Sequence, residues 1–250
     1  MNKTKIIATI GPSCSDINIL QEMVNSGVGT FRINMSHGDS ESKKQLFDLV
    51  KSVKHPEGGR PAILADLCGP KIRIINISDK FELQDGDSVV ISNKEGSGDI
   101  FVTSSISLSN VITGSKILIN DGKVQLEVDE VIDDNSLRCK TLIGGEIQKG
   151  KGVNFPGVSL GVPALTDQDK EDLKLALNEE SDWIALSFVR NASDIDGVHE
   201  IMDSFNVRLP VMAKIEKWEA LEDLVNITAA FDGLMVARGD LGVEIPSGKV

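Results

Sequence analysis

Short apolar runs alternate with amphipathic segments through the first third of the chain. Residues 5–10 form a β-branched run that predicts a strand, and similar runs at 30–35 and 61–65 predict two more. Between these runs, apolar residues recur three and four positions apart, which predicts one helix after the N-cap candidate Asp16 and a second before the turn at 56–61. Strands that alternate with helices predict a parallel sheet with right-handed crossovers.

The pattern changes after Gly69 and Pro70 to short strands of period two with hairpin turns. One hairpin is predicted by residues 117–119 and 124–128, which flank an Asn-Asp-Gly turn. A glycine-rich stretch follows at 144–161. We therefore expect residues 71–162 to form an inserted all-β domain, and residues 1–70 and 163–250 to form one discontinuous α/β domain.

The α/β pattern resumes at Thr166, which is spaced to form a capping box with Asp169. Further strands are predicted over 183–188, 211–215 and 233–237. Helices are predicted around 195–202 and 221–225. The sequence therefore predicts six strands for the α/β domain.

Charged side chains stand at the ends of two of these strands. The strand period of two sends Lys214 and Glu216 to the same face, and Asp240 lies just past the strand at 233–237, where α/β folds place their chemistry. Two carboxylates beside a lysine suit Mg²⁺ or Mn²⁺, with the ammonium neutralising charge on a phosphoryl group or an enolate. A structural ion pair explains Lys214 and Glu216 equally well. Asp240 favours the metal site.

Polar and basic residues recur at the other strand ends. Arg32 shares a strand face with Asn34, and Lys71 shares one with Arg73. Arginine binds phosphate through two N–H groups, so Arg32 and Arg73 suit an anionic substrate, although each alone would be an ordinary surface residue. Their recurrence favours a shared site. The strand-end residues are Arg32, Asn34, Ser36, His37, Asp66, Ser187, Lys214, Glu216 and Asp240.

Residues 145–152 nearly match a phosphate-binding P-loop. Gly152 stands where that motif needs a hydroxyl, and a proline-containing segment follows where the motif needs a helix. The P-loop interpretation is therefore rejected, but Lys151 is kept as a candidate phosphate ligand.

The chain is acidic, with 26 Lys and Arg against 38 Asp and Glu and a net charge of −12. This balance argues against nucleic-acid and anionic-membrane partners. The three cysteines have no CxxC spacing, so neither a disulfide framework nor a zinc site is expected, and a reducing cytoplasm fits best. The first apolar run is too short for a signal or membrane segment.

Seven motifs follow one another along the whole chain: TKIIATIGPS at 4–13, RINMSHG at 32–38, DLCGPKIR at 66–73, KGVNFPG at 151–157, SFVR at 187–190, AKIE at 213–216 and MVARGDLGVE at 235–244. In this order they resemble the motifs of pyruvate kinase, and their number makes chance implausible.

The resemblance implies a TIM-type (β/α) barrel with an inserted β lid, and phosphoryl transfer from phosphoenolpyruvate to ADP that gives pyruvate and ATP in glycolysis. It implies that Glu216 and Asp240 hold Mg²⁺ or Mn²⁺ and that Lys214 stabilises charge on the transferring group and the enolate. The substrate contacts are then Arg32, Lys214, Gly239 and Asp240. The catalytic residues of this reading are Lys214, Arg32 and Arg73.

The same resemblance implies nucleotide-phosphate contacts at Asn34, His37, Arg73 and Lys151, with Lys151 carried by the lid. It implies a monovalent-cation site, whose residues are Asn34, Ser36 and Asp66.

Two substitutions bear on that monovalent cation. Lys71 stands where many members of the family carry a glutamate, and Leu67 replaces a hydroxyl of the potassium-dependent pattern. A lysine ammonium is a compact point charge that can take the place of a cation. We therefore predict that K⁺ is dispensable.

The chain departs from the family in length. A pyruvate kinase barrel has eight strands and a further C-terminal domain, whereas about six strands are predicted here, so we expect an incomplete barrel. Members of the family are usually homotetramers, and the sequence leaves the oligomeric state open. Two other functions also stay open: a non-catalytic remnant that binds nucleotide or a phosphometabolite, and a metal-dependent pyruvate or enolate lyase, which has no need of the lid.

Overall fold

The computed structural model describes residues 4–77, 82–103 and 105–250, so residues 1–3, 78–81 and 104 of the predicted domains lie outside it. The first elements are β1 (Ile6–Thr9), α1 (Ile17–Asn25), β2 (Val28–Asn34), α2 (Ser40–Ser52) and β3 (Ala62–Asp66). The Asp16 side chain caps α1 by accepting a hydrogen bond of 2.9 Å from the Asn18 amide. The strand and helix predictions for this segment are confirmed, with ends that differ by one or two residues.

The next elements are all strands in the described part of residues 71–162. They are β4 (Ile74–Ile77), β5 (Glu82–Leu83), β6 (Ser88–Ser92), β7 (Ile100–Val102), β8 (Lys116–Ile119), β9 (Val124–Asp133), β10 (Ser136–Ile143), β11 (Gly145–Glu146) and β12 (Val153–Asn154). Seven of these strands form one sheet in the order β12-β8-β9-β10-β6-β7-β4. Its pairs are antiparallel except β6 with β7.

The predicted hairpin is β8 with β9. Its turn residues Asn120, Asp121 and Gly122 all have positive φ angles of 53°, 57° and 82°, which Asn, Asp and Gly tolerate best. The strands enclose an apolar core of their own, which includes Ile91, Leu126, Leu137 and Phe155, each at most 1% exposed.

The last third contains α3 (Asp167–Asn178), β13 (Trp183–Leu186), a 3-10 turn (Ala192–Ile195), α4 (Asp196–Ser204), β14 (Val211–Ile215), α5 (Trp218–Glu222), α6 (Leu224–Ala230), β15 (Gly233–Val236), α7 (Arg238–Glu244) and a 3-10 turn (Ser247–Lys249). The capping box of Thr166 and Asp169 is confirmed at the start of α3. The helix predicted around 221–225 is instead two short helices. Asp223 lies between them with φ −102° and ψ 16°, outside the helical range, and its carboxylate accepts a hydrogen bond of 2.8 Å from the Ala192 amide.

Six strands form the second sheet in the order β1-β2-β3-β13-β14-β15. The pairings among β1, β2, β3, β13 and β14 are all parallel, and β3 lies near the centre with Ile63, Leu64 and Ala65 fully buried. Parallel strands that alternate with helices confirm the predicted fold class, a (β/α) barrel with six strands and an inserted all-β region. Among the described residues, no helix has the length and apolar character needed to cross a bilayer.

The chain divides into two compact units. The first contains Met1–Gly69, Ala164–Ile215 and Asp223–Met235, and the second contains Pro70–Pro163, Glu216–Glu222 and Val236–Val250. The predicted domain limits at residues 70 and 163 stay a prediction. The segments that carry Glu216 and Asp240 belong to the same unit as the inserted strands.

A buried ion pair joins two helices of the first unit. The Lys43 ammonium of α2 lies 2.6 Å from Asp172 Oδ1 of α3, and the two side chains are only 4% and 2% exposed. Each charge is removed from water, so each depends on the other for compensation.

We predict that Lys43→Met lowers the free energy of unfolding by about 3–5 kcal/mol, because Asp172 is left as an uncompensated buried charge. The double variant Lys43→Met/Asp172→Leu should recover most of that loss. Urea unfolding measures the free energy of unfolding of the single and the double variant. Lys44→Met is the matched control, since Lys44 is on the same helix but is 43% exposed in its pairs with Asp48 and Glu179, and it should change stability by less than about 1 kcal/mol. An equal loss from Lys43→Met and Lys44→Met would contradict the prediction.

Gly69 lies in a crowded position after β3. Its φ is +70°, and a Cβ built there would lie 2.8 Å from Phe188 Cδ2 and 2.9 Å from Ser187 Cβ. Its amide donates a hydrogen bond of 3.1 Å to Asp169 Oδ1, which holds the backbone in place. Only glycine fits here without a shift of Ser187.

We predict that Gly69→Ala destabilises the protein by about 1–3 kcal/mol more than Gly59→Ala, because overpacking is added to the backbone cost. Gly59 is the matched control, since its φ of +74° is similar but a Cβ there meets nothing within 4 Å. Thermal or urea unfolding of the two variants tests this. If both variants lose the same free energy of unfolding, crowding at Gly69 does not contribute to the cost of the substitution.

Candidate functional site

Asp66, the last residue of β3, lies between a basic side chain of β2 and one of β14 and is 2% exposed. Arg32 of β2 donates from Nε to Asp66 Oδ2 at 2.7 Å and also makes an ion pair with Asp66. The Lys214 ammonium of β14 lies 3.1 Å from Asp66 Oδ1 and 3.4 Å from Oδ2. The carboxylate therefore balances two positive charges at the carboxyl edge of the parallel sheet.

Ser187 also holds Lys214. The Lys214 ammonium donates to Ser187 Oγ at 2.6 Å, and the Ser187 hydroxyl donates to the Leu67 carbonyl at 2.6 Å. Ser187 is 1% exposed and Lys214 is 8% exposed. The sequence marked Ser187 as a polar strand-end residue but assigned it no role. The signal in the sequence that could have indicated its role is its position directly after a buried apolar strand.

The residues expected to bind a monovalent cation lie near the end of β2. Asn34 is the register partner of Asp66, and its Oδ1 accepts a hydrogen bond of 3.0 Å from the Ser36 amide. Ser36 and His37 are exposed in the turn that follows. The Asp66 oxygens already have cationic partners within the chain.

The two candidate divalent-metal ligands are carboxylates of the second unit. Glu216 follows β14 and is 2% exposed, whereas Asp240 is in the first turn of α7 and its side chain is 37% exposed. Among the described residues, no group of three or more His, Cys, Asp or Glu side chains is placed to hold a metal ion. Mg²⁺ commonly binds through one or two carboxylates together with substrate phosphates and water, so Glu216 and Asp240 fit it as a donor pair.

Lys71 has a position that the sequence did not predict. Its ammonium lies 3.6 Å from Asp240 Oδ1, with 31% of its side chain exposed. Its stem passes close to the backbone of Gly152, because a Cβ built on this glycine would lie 3.4 Å from Lys71 Cε. Within its own unit, this ammonium therefore faces a candidate metal ligand, and its role in place of a monovalent cation beside Asn34, Ser36 and Asp66 stays a prediction.

Arg73 and Lys151 lie on adjoining segments of the second unit. Arg73 forms an antiparallel bridge with Gly152, and the Lys151 carbonyl accepts a hydrogen bond of 2.9 Å from the Ile74 amide. The Arg73 guanidinium donates to the Gly150 carbonyl at 2.9 Å. Gly239 is exposed at the start of α7, and a Cβ there would meet nothing within 4 Å.

Glu244 forms a cluster that residue patterns did not predict. Its Oε1 lies 2.7 Å from the Lys217 ammonium and accepts a hydrogen bond of 3.1 Å from Asn154 Nδ2. The side chain is fully buried. A single glutamate in a helical segment carries no signal for this role, because its partners are distant in sequence.

The three cysteines are free, as their spacing predicted. Burial raises the pKa of the Cys139 thiol to about 12, so this thiol stays neutral at physiological pH. Cys139 therefore behaves as a small apolar core residue.

The family model described as pyruvate kinase, barrel domain, matches residues 1–250. Pyruvate kinase 2 of Synechocystis is 42% identical over 261 residues, which cover 99% of this chain and 43% of that protein. A pyruvate kinase of Mycobacterium tuberculosis is 40% identical, covering 98% of this chain and 53% of that protein, and one of Staphylococcus aureus is 38% identical, covering 100% and 44%. The chain spans about half the length of these curated relatives. The family match and the motifs at the strand ends show that the chain belongs to the pyruvate kinase family.

Proposed function

We propose that the protein containing this chain transfers the phosphoryl group of phosphoenolpyruvate to ADP, giving pyruvate and ATP. The observation that carries the proposal is the buried Lys214, which Asp66 and Ser187 hold at the carboxyl edge of the sheet beside Arg32. The names of the relatives support the same reaction.

Lys214 is the residue we assign to charge stabilisation. Phosphoryl transfer develops negative charge on the transferring oxygens and on the enolate, and a fixed ammonium in a water-poor position stabilises that charge without reorganising. Asp66 lowers the cost of burying the ammonium, and the hydroxyl of Ser187 fixes its direction.

Arg32 is assigned to the substrate phosphate and, with Lys214, to catalysis. Asp66 holds its Nε, and Thr9 Oγ1 accepts a hydrogen bond of 3.0 Å from its Nη1, so the guanidinium plane is fixed. A fixed guanidinium suits the planar, paired recognition of phosphate oxygens. Its side chain is 28% exposed, which leaves it accessible.

Glu216 and Asp240 are assigned to Mg²⁺ or Mn²⁺. A divalent cation at these carboxylates supplies positive charge to the enolate and phosphoryl oxygens. The exposed backbone at Gly239 allows close approach of a substrate next to Asp240, because no side chain intervenes.

Arg73, Lys151, Asn34 and His37 are assigned to the nucleotide, with Arg73 also assigned to catalysis. Support comes from the pairing of the segments that carry Arg73 and Lys151, which gives the inserted region two neighbouring basic residues for phosphate. We propose domain limits of 1–70 and 163–250 for the barrel and 71–162 for the lid.

K⁺ is proposed to be dispensable. Asn34, Ser36 and Asp66 correspond to the monovalent-cation residues, but Asp66 already has two cationic partners. An additional cation at Asp66 would therefore be repelled by Arg32 and Lys214. The presence of Leu67 in place of a hydroxyl removes one further ligand.

We predict that Lys214→Met lowers kcat by at least about 100- to 1000-fold, because one preorganised charge stabiliser is lost. KM for ADP should change little. A coupled assay of pyruvate formation with the full-length protein measures both. Lys174→Met, which removes an exposed lysine of α3, is the control and should behave as wild type.

Near-normal turnover of Lys214→Met would remove this role from Lys214. Binding of ADP or phosphoenolpyruvate by the wild-type protein without any turnover would instead favour the non-catalytic binding remnant.

We also predict equal turnover with and without K⁺ in sodium-free buffer, with tetramethylammonium chloride holding ionic strength constant. Lys71→Glu should make turnover depend on K⁺, because it replaces an ammonium with a carboxylate. Strong activation of the wild-type protein by K⁺ is the outcome that rejects the proposal. If turnover of the Lys71→Glu variant is also equal with and without K⁺, residues other than Lys71 make turnover independent of K⁺.

A further inference from the structure

Glu244 connects the chain segments that carry the two proposed metal ligands. It lies four residues after Asp240 on α7, so the two carboxylates share one side of that helix. Its ion-pair partner Lys217 directly follows Glu216. One buried carboxylate thus ties the helix of Asp240 to the segment of Glu216.

The contacts of Glu244 pass through one oxygen. Both Lys217 and Asn154 bind Oε1, at 2.7 and 3.1 Å, whereas the buried Oε2 accepts no hydrogen bond from the described residues. Asn154 belongs to β12 of the lid strands, so three segments of the second unit meet at this atom. Loss of the carboxylate would release all three.

We propose that Glu244 is a positioning residue for the divalent-metal site, where it holds Glu216 and Asp240 in register through Lys217 and α7. The inference rests on the proposed function, since it takes these two carboxylates as the ligands. Glu244 itself does not touch the metal. Residues that orient metal ligands in this way typically change metal affinity by 10- to 100-fold when replaced.

Replacing Glu244 also changes the charge near the proposed metal site, and the test has to separate this effect from the loss of positioning. Without Glu244, the Lys217 ammonium next to Glu216 loses its counter-charge and repels a divalent cation. A variant that removes both charges eliminates this repulsion but does not restore the connection.

The experiment is a titration of the full-length protein with Mn²⁺ alone, followed by electron paramagnetic resonance of free manganese. We expect Glu244→Leu to weaken Mn²⁺ binding by about 10- to 100-fold, because leucine has no oxygen to accept the hydrogen bonds of Lys217 and Asn154. The double variant Lys217→Met/Glu244→Leu should stay weak, and it replaces the buried pair with uncharged residues that are compatible with folding. Glu130→Leu is the matched control, because it removes an exposed ion pair with Arg138 from the same unit and should leave the affinity unchanged.

Glu216→Gln separates the inference from the function on which it rests. If Glu216→Gln abolishes Mn²⁺ binding while Glu244→Leu binds like wild type, the positioning role is wrong and the metal site stands. Recovery of wild-type affinity by the double variant would show that Glu244 acts by charge alone, which also overturns the proposal. No binding by the wild-type protein, or unchanged binding by Glu216→Gln, would overturn the metal site and the role of Glu244 together.

Discussion

The interaction of Asp66 with Arg32 and Lys214 is the constraint on which the candidate site of the first unit depends. Two positive charges at the edge of one sheet repel each other, and Lys214 is buried, so neither is stable there without a counter-charge. Asp66 supplies it from the strand that lies near the centre of the sheet. The apolar residues of that strand are fully buried, so its backbone is rigid. Asp66 therefore holds the side chains of Arg32 and Lys214 in fixed positions.

The sequence was a good guide to the elements of the fold and a partial guide to the site. Periodicity and capping residues identified the helices and strands because those signals are local, as at Asp16 and Thr166. The single helix expected around 221–225 was wrong because the backbone leaves the helical range at Asp223, whose carboxylate binds an amide far away in sequence. The family motifs identified the candidate ligands, whereas the contacts of Ser187, Lys71 and Glu244 could not be predicted from them. Each of these depends on which distant segment comes close, and that is decided by tertiary packing.

The division of the chain into units changes how the motifs are understood. The AKIE motif reads as one continuous strand end, yet Lys214 belongs to the first compact unit and Glu216 to the second. The ammonium is held by side chains of the parallel sheet, whereas the Asp240 carboxylate lies 3.6 Å from the Lys71 ammonium at the start of the inserted region. A step of two residues in sequence therefore passes from one compact unit to the other.

Gly69 has a further consequence for how activity data from this family are interpreted. It carries no functional group, but any side chain there has to displace Ser187, whose hydroxyl accepts a hydrogen bond from Lys214. A survey of substitutions scored by turnover would therefore rank residue 69 with the chemical groups. A loss of activity in such a survey therefore marks positions where a side chain does not fit as well as residues that react. At this edge of the sheet, position 69 therefore has to be glycine as strictly as Lys214 has to be charged.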